Sequence, residues 1–242
     1  MKVTILNPEE AKELFHWWGV ASKTCYATET NHPESIGKGC MYSGHFSGSR
    51  ARYILFQIDD CPRFTIDQAV RHEIGVMKNV QSFRYVDKSC FAYEIPEEIK
   101  DNEALLAKYH QHMMNTIELY GEIQDYVYTK TNSHERANEQ ARYVLPMATH
   151  SSFVFGLTIE ALIHFMNMRL CVRAEDKIRE LAKLMKEVTI EILPELKTRL
   201  VPNCQEMLYC PEGRHLCDHL GADHDIILSC GEIREILLIA ES

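Results

Sequence analysis

Apolar positions along the chain follow two rhythms. Short runs rich in β-branched and aromatic residues predict strands at 3–6 (VTIL), 52–58 (RYILFQI) and 89–95, the last ended by Pro96. Longer stretches, with apolar residues three and four apart, predict helices. The first opens at Asn7-Pro8-Glu9-Glu10, with Asn as cap and Pro in the first turn, and runs to about Thr24. Residues 28–50, rich in Thr, Asn, Gly, Ser and Pro, read as loop. After the break at Cys61-Pro62, Thr65 can cap a helix over about 66–80.

Further helical pattern covers 97–130 (one long helix or two), 134–144 (stopping before Pro146), 151–170, and 174–200, which Pro194 kinks or splits. The stretch 201–224 is irregular, and 226–239 returns to apolar residues. There is no internal repeat and no low-complexity linker. The pattern predicts an α+β fold, a mixed sheet with several long helices. It also predicts a single domain over 1–242 with a Cys/His-rich tail at about 201–242.

Composition narrows the function. Of 242 residues, 45% are apolar and 25% charged, enough for a real core. The net charge of −9 argues against broad nucleic-acid binding, which needs clustered Lys and Arg. An anionic ligand must therefore be met by a few placed arginines. No apolar run is long enough to span a bilayer, and MKVTILNPEEAKELF lacks the parts of a signal peptide. The expected location is cytoplasmic. Nine scattered cysteines argue against a disulfide framework. Cys25, Cys40, Cys61, Cys90 and Cys171 read as reduced, part-buried thiols.

Three constellations could carry chemistry. The first is RHEIGVMKNVQSFRYV at 71–86, with Gln68 upstream. On a helix, positions 68, 71 and 72 share a face. Ser82 and Arg84 would share one side of an extended segment. Two converging guanidiniums can trap a phosphate, and the ordinary alternative is a solvated polar face. The second is the stripe Glu160, His164 and Asn167 on an otherwise apolar helix, with Arg169 beyond it. It is either a wet face or a set of buried polar groups that a ligand would satisfy. The third is the tail, with Cys204, Cys210, Cys217, Cys230, His215, His219 and His224. These are zinc-ligand types, but the absence of a CxxC pair misses the usual finger spacing, and no metal site is assigned. GxGxxG, GxxxxGK[ST] and HExxH are all absent from the sequence.

Together these segments resemble one family. Gln68-x-x-Arg71-His72, then Asn79-x-Gln81-Ser82-x-Arg84-Tyr85, is similar to the signature of the flavin-dependent thymidylate synthases: RHR, a spacer, S, and an R-Y pair. Gly44-His45-Phe46-Ser47 resembles that family's GHxS/T segment. Ala141-Arg142-Tyr143-Val144-Leu145-Pro146 followed by 162–169 (LIHFMNMR) resembles its ARxxLP…LxxFxNLR block.

The resemblance implies reductive methylation of dUMP to dTMP. Methylenetetrahydrofolate would give the carbon, FAD would relay reducing equivalents, and NADPH would supply them. It also implies a homotetramer acting on small molecules, with no nucleic-acid or membrane partner. By matched position, dUMP would meet Gln68, Arg71, Gln81, Ser82, Phe83, Arg84, Arg142 and Arg169, with Arg169 as the catalytic group that helps ionise the uracil. FAD would meet Ser47, His72, Glu73, Ile74, Thr158, Glu160 and His164.

The chain departs from the pattern at several places. Glu73 stands where the signature has its second Arg, and the spacer to Ser82 is one residue longer. Val80 and Arg50 stand where the family has acids. Thr158, Glu160 and His164 stand where it has Asn, Arg and Asn. These departures admit three readings: Arg50 and Arg173 supply the charge lost at 73 and 160; FAD is bound weakly or in a variant pose; or a different substrate or flavin is used. The alternative functions are flavin-dependent C5 modification of another pyrimidine nucleotide, and a nucleotide-binding homologue without flavin chemistry.

Overall fold

The computed structural model describes every residue except 26, 28, 30, 208, 212–227 and 230–242. Four strands, β1 (Lys2–Ile5), β2 (Ile54–Pro62), β3 (Val76–Val80) and β4 (His150–Leu157), form one sheet in the order β1-β2-β4-β3. The Gln81 N–H donates to the Ser152 carbonyl at 2.9 Å and the Thr158 N–H to the Gly75 carbonyl at 3.0 Å, so β3 and β4 run antiparallel. Two short strands, β5 (Tyr209–Cys210) and β6 (Leu228–Ser229), pair in parallel. The helices are α1 (Pro8–Lys12), α2 (Leu14–Cys25), α3 (Pro33–Tyr42), α4 (Arg63–Ala69), α5 (Glu103–Thr131), α6 (His134–Ala141), α7 (Ile159–Arg169), α8 (Asp176–Ile192) and α9 (Asn203–Met207). None of these is both long and apolar enough to cross a membrane.

The chain divides into two compact units. The first comprises Met1–Lys2, Ile58–Arg71 and Lys78–Val154; the second comprises Val3–Gln57, His72–Met77 and Phe155–Ser242. In the first, Ile66, Phe91, Met113, Tyr120 and Phe153 are buried. The long helix α5 is capped by the Asn102 side chain, which accepts from the Leu105 N–H at 3.1 Å, and it ends at Asn132 in the left-handed region. In the second, Phe15, Trp18, Phe56, Phe155 and Phe165 form the core. Helix α8 buries Ile178, Leu181, Ala182, Met185 and Thr189, the three-and-four spacing of one helix face. Helices α2 and α3 approach so closely that a Cβ on Gly19 would lie 1.7 Å from the Pro33 carbonyl oxygen, so only glycine fits there.

Several expected elements differ. The first helix divides into α1 and α2, and Asn7 makes no side-chain cap. Its side chain instead joins β2, donating to the Tyr53 carbonyl at 3.0 Å and accepting from the Leu55 N–H at 2.9 Å. The stretch 28–50, expected as loop, contains α3, with Pro33 in its first turn. The helix expected at 66–80 begins earlier, at Arg63, and stops at Ala69; Thr65 is buried inside it, and 76–80 is strand. Thus 68, 71 and 72 do not share a helix face.

The stretch 151–170 is not one helix. Its first part is β4, where Ser151, Phe153, Phe155 and Leu157 are buried in alternation. The strand expected at 89–95 reduces to an isolated bridge, Tyr93 to Thr149. The split at Pro194 holds, since α8 ends at Ile192 and a 3₁₀ turn, Pro194–Thr198, comes next. Of the tail, Cys204 and Cys210 are described, and the described residues hold no cluster of metal-ligand side chains. Cys217, Cys230, His215, His219, His224 and the apolar stretch at 226–239 lie outside the described residues, apart from the backbone of β6.

Candidate active site

The candidate residues fall into two sets, one in each unit. In the second unit, α7 is the scaffold. Thr158 caps it, its hydroxyl accepting from the Ala161 N–H at 3.3 Å. Ile159, Leu162, Phe165 and Met166 bury the rest of the helix. Ahead of β3, Gly75 sits at φ +68°, and a Cβ there would lie 2.6 Å from the Thr158 hydroxyl oxygen. That tight junction turns the chain so that Ile74 is 79% exposed.

Ile74 lines a cavity of about 390 Å³, together with Phe46, Arg50, Glu160, Ala161, Ile163, His164, Asn167 and Glu206. On α7, positions 160, 163, 164 and 167 share a face, which brings the Glu160–His164–Asn167 stripe to this wall. Each polar member of the stripe has protein contacts. The Asn167 amide donates to the Val201 carbonyl at 2.8 Å. His164 meets His72 edge-on, with ring centroids 5.9 Å apart. Glu160 accepts from Arg50, at 2.5 Å from Nε and 3.1 Å from Nη2. Glu160 holds the Arg50 guanidinium above its ordinary pKa through this hydrogen bond and its charge. Glu206 pairs with Arg199 at 2.8 Å, and the Arg199 guanidinium stacks over Phe46 at 5.3 Å.

Of the positions matched to FAD, Ile74, Glu160 and His164 line the cavity. Ser47, His72, Glu73 and Thr158 do not. Ser47 and Glu73 are exposed, and Thr158 is buried as the helix cap. His72 is 9% exposed, edge-on to Phe165 at 5.0 Å. Its Nε2 accepts from Arg169 Nε at 3.1 Å, so the accepting nitrogen carries no proton and His72 orients the guanidinium at the end of α7. Arg173, expected to share in compensating charge, is not among the lining residues.

Phe46, Ala161, Ile163 and Glu206 were not singled out from sequence. Ile163 could have been found from the helical spacing of the stripe, and Phe46 from its place inside GHFS. Nothing marks Glu206, which arrives from a separate helix.

In the first unit, Gln68 is half-buried in α4, and Arg71 is exposed beyond the helix end. Gln81 continues the β3 ladder through the Ser152 carbonyl, and its side-chain oxygen accepts from the Ser151 hydroxyl at 3.5 Å. The chain then turns, with the Ser82 hydroxyl accepting from the Arg84 N–H at 3.3 Å and the Ser82 carbonyl from the Tyr85 N–H at 3.2 Å. The Arg84 guanidinium lies 2.5 Å from Glu135 and 3.6 Å from Glu139. Phe83 has the Lys88 ammonium 5.0 Å and the Arg63 guanidinium 5.8 Å from its ring centre. Burial lowers the Lys88 pKa. Arg142 is exposed in the 3₁₀ turn after α6. Gln81, Ser82, Phe83 and Arg84 thus follow one another at the end of β3 and the turn after it, and the unit as a whole holds guanidiniums, amides, a hydroxyl and an aromatic ring, the groups an anionic nucleotide needs.

Comparisons with known proteins identify the family. A family model, "Thymidylate synthase complementing protein", matches residues 13–195. The flavin-dependent thymidylate synthase of Nitratidesulfovibrio vulgaris is 38% identical over 173 residues, covering 72% of this chain and 70% of that protein. The protein of the same name from Pyrococcus abyssi is 36% identical over 177 residues (70% and 69%), and that from Pyrococcus furiosus 32% over 208 residues (82% of each). The chain belongs to the thymidylate synthase complementing protein family. It is an enzyme of the flavin-dependent thymidylate synthase type.

Proposed function

We propose that this chain methylates dUMP to dTMP, taking the one-carbon unit from 5,10-methylenetetrahydrofolate. Carbon transfer to C5 and reduction to methyl need two electrons. FAD relays these as hydride when bound, and NADPH supplies them. The pairing of Arg169 with His72 carries this reading: a guanidinium at the last turn of α7 is held by a neutral imidazole acceptor at 3.1 Å. A cation fixed in that way stabilises negative charge on the uracil N3–O4 edge and activates C5. Arg169 is the proposed catalytic residue.

Gln68, Arg71, Gln81, Ser82, Phe83, Arg84 and Arg142 are the proposed nucleotide contacts. The guanidiniums serve the phosphate, and the amides and hydroxyl serve the sugar and base. Arg84 must exchange Glu135 and Glu139 for phosphate oxygens, and the two carboxylates set its orientation before substrate arrives.

The second-unit cavity has features that suit a flavin dinucleotide. Phe46, Ile74, Ala161 and Ile163 offer apolar wall, and Arg50 offers positive charge. Its two carboxylates, Glu160 and Glu206, are each neutralised by an arginine. Ser47, His72, Glu73, Ile74, Thr158, Glu160 and His164 are the proposed FAD-side positions. A homotetramer, acting in the cytoplasm on small molecules, completes the proposal.

The test is dTMP formation from dUMP, methylenetetrahydrofolate, NADPH and FAD, run beside UMP and dCMP. A clear preference for dUMP is expected; a preference for another pyrimidine nucleotide would overturn the substrate. Arg169→Ala should lower turnover by about 10²–10³-fold or more, with the thermal unfolding midpoint little changed. Retained turnover would remove Arg169 from its role.

A further inference from the structure

Arg50 and Glu160 stand 110 residues apart in the chain, and folding brings them together. Arg50 Nε and Nη2 face the two carboxylate oxygens of Glu160 at 2.5 and 3.1 Å, a two-pronged pair. The carboxylate sits in the first turn of α7, where the helix dipole favours it. The guanidinium sits on the 3₁₀ segment Phe46–Ala51.

That placement matters for the cavity. Among its described lining residues, Arg50 is the one guanidinium. Glu206 is occupied by Arg199, so it does not compete for Arg50. The Arg50 side chain is 58% exposed. Of its five N–H donors, the pair with Glu160 uses one from Nε and one from Nη2. A planar guanidinium anchored along one edge keeps its other edge for phosphate oxygens.

We propose that Arg50 is the diphosphate-contacting group of this cavity, and that Glu160 is a positioning residue that aims it. The phosphate-binding arginine is thus supplied by the segment at 46–51, and α7 supplies the carboxylate that orients it. This rests on the reading that the cavity takes a flavin dinucleotide.

Equilibrium binding to the full chain tests it. Flavin fluorescence quenching reports FAD and riboflavin, and calorimetry reports ADP, a diphosphate probe with no flavin ring. Arg50→Ala should weaken FAD and ADP by about tenfold or more, the loss of a charged hydrogen-bond donor. Riboflavin, which has no phosphate, should weaken by less than about twofold. Arg50→Glu and Glu160→Arg should each weaken FAD, and the double variant R50E/E160R should recover most of the loss, with circular dichroism confirming that each variant is folded.

Equal weakening of FAD and riboflavin, unchanged FAD binding in R50A, or a double variant no better than R50E would each overturn the proposal. Wild-type protein that binds ADP but neither flavin would remove the flavin reading. In that case loss of ADP binding in R50A would still support Arg50 as the diphosphate contact, and unchanged ADP binding would overturn it. Wild-type protein that binds none of the three would overturn both.

Discussion

Gly75 joins two constraints at one residue. Its φ of +68° is a conformation that residues with a Cβ rarely adopt, and the added carbon would meet the Thr158 hydroxyl at 2.6 Å. Thr158 cannot move away cheaply, because that hydroxyl caps α7. Gly75→Ala should therefore destabilise by about 1–3 kcal/mol, read as a lower midpoint in urea at unchanged slope. Because α7 carries the Glu160 face and Arg169, the same variant should lose activity in step with stability.

At this scale the sequence was informative about chemical type and poor about partners. Arg169, His72, Glu160 and Arg50 were each visible as residues with potential roles. No spacing rule pairs 72 with 169, or 50 with 160, because those contacts exist only after distant segments pack. Arg173 shared Arg50's expected role and has the same charge. Only geometry assigns the contact with Glu160 to Arg50.

At the level of elements, the legible parts were those with strong periodicity or clear punctuation. The helix expected over 134–144 is present as α6 (His134–Ala141) with a 3₁₀ turn through Val144, and the break at Pro194 holds, because a proline follows the one and interrupts the other. The β3 and β4 segments were hidden. In β4 the alternating Ser151, Phe153, Phe155 and Leu157 run directly into the apolar face of α7, so period two merges into period 3.6 without a Gly-Pro punctuation mark. The site's signature stretch was misread for a related reason. Its helix ends at Ala69, and the chain then turns at Gly75 and enters a strand.

The link between β3 and α5 supplies a pH-dependent element. Burial raises the Asp87 pKa, but hydrogen bonds outweigh it: Asp87 accepts from the Ser89 N–H and hydroxyl, each at 2.9 Å, and from the Gln124 amide at 3.0 Å. The net effect lowers its pKa below the ordinary 3.8. A carboxylate whose folded pKa is depressed contributes its full stability above the unfolded value, and loses it as pH falls through the folded one. Asp87 is exposed, so solvent screens its contribution: Asp87→Asn should cost about 0.2–1 kcal/mol at neutral pH, and the difference from wild type should shrink below about pH 4 as wild type loses that contribution. Urea midpoints measured from pH 7 down to pH 3 check this; a difference that stays constant over that range would remove Asp87 from the role.

For the whole molecule, the question is what covers α5. Only Met113, Thr116 and Tyr120 are buried along its length, from Glu103 to Thr131. Leu105, Leu119 and Tyr126 are exposed at 45%, 45% and 65%. These three fall at multiples of seven residues, so they lie along one stripe of the helix, a pattern suited to packing against another helix. A helix with that much apolar side chain in water is better explained by a second copy of the chain than by solvent, which fits the proposed homotetramer. Sedimentation velocity on the wild-type protein should give a mass near four chains of 28.0 kDa. Leu119→Glu with Tyr126→Glu should shift it to a smaller assembly, because carboxylates buried against a copy of themselves cannot all be paired. Both side chains are exposed within the chain, so the variant should keep its helical content by circular dichroism. A mass that does not change in the variant would place the assembly surface elsewhere. A wild-type mass of one chain would end the tetramer proposal itself.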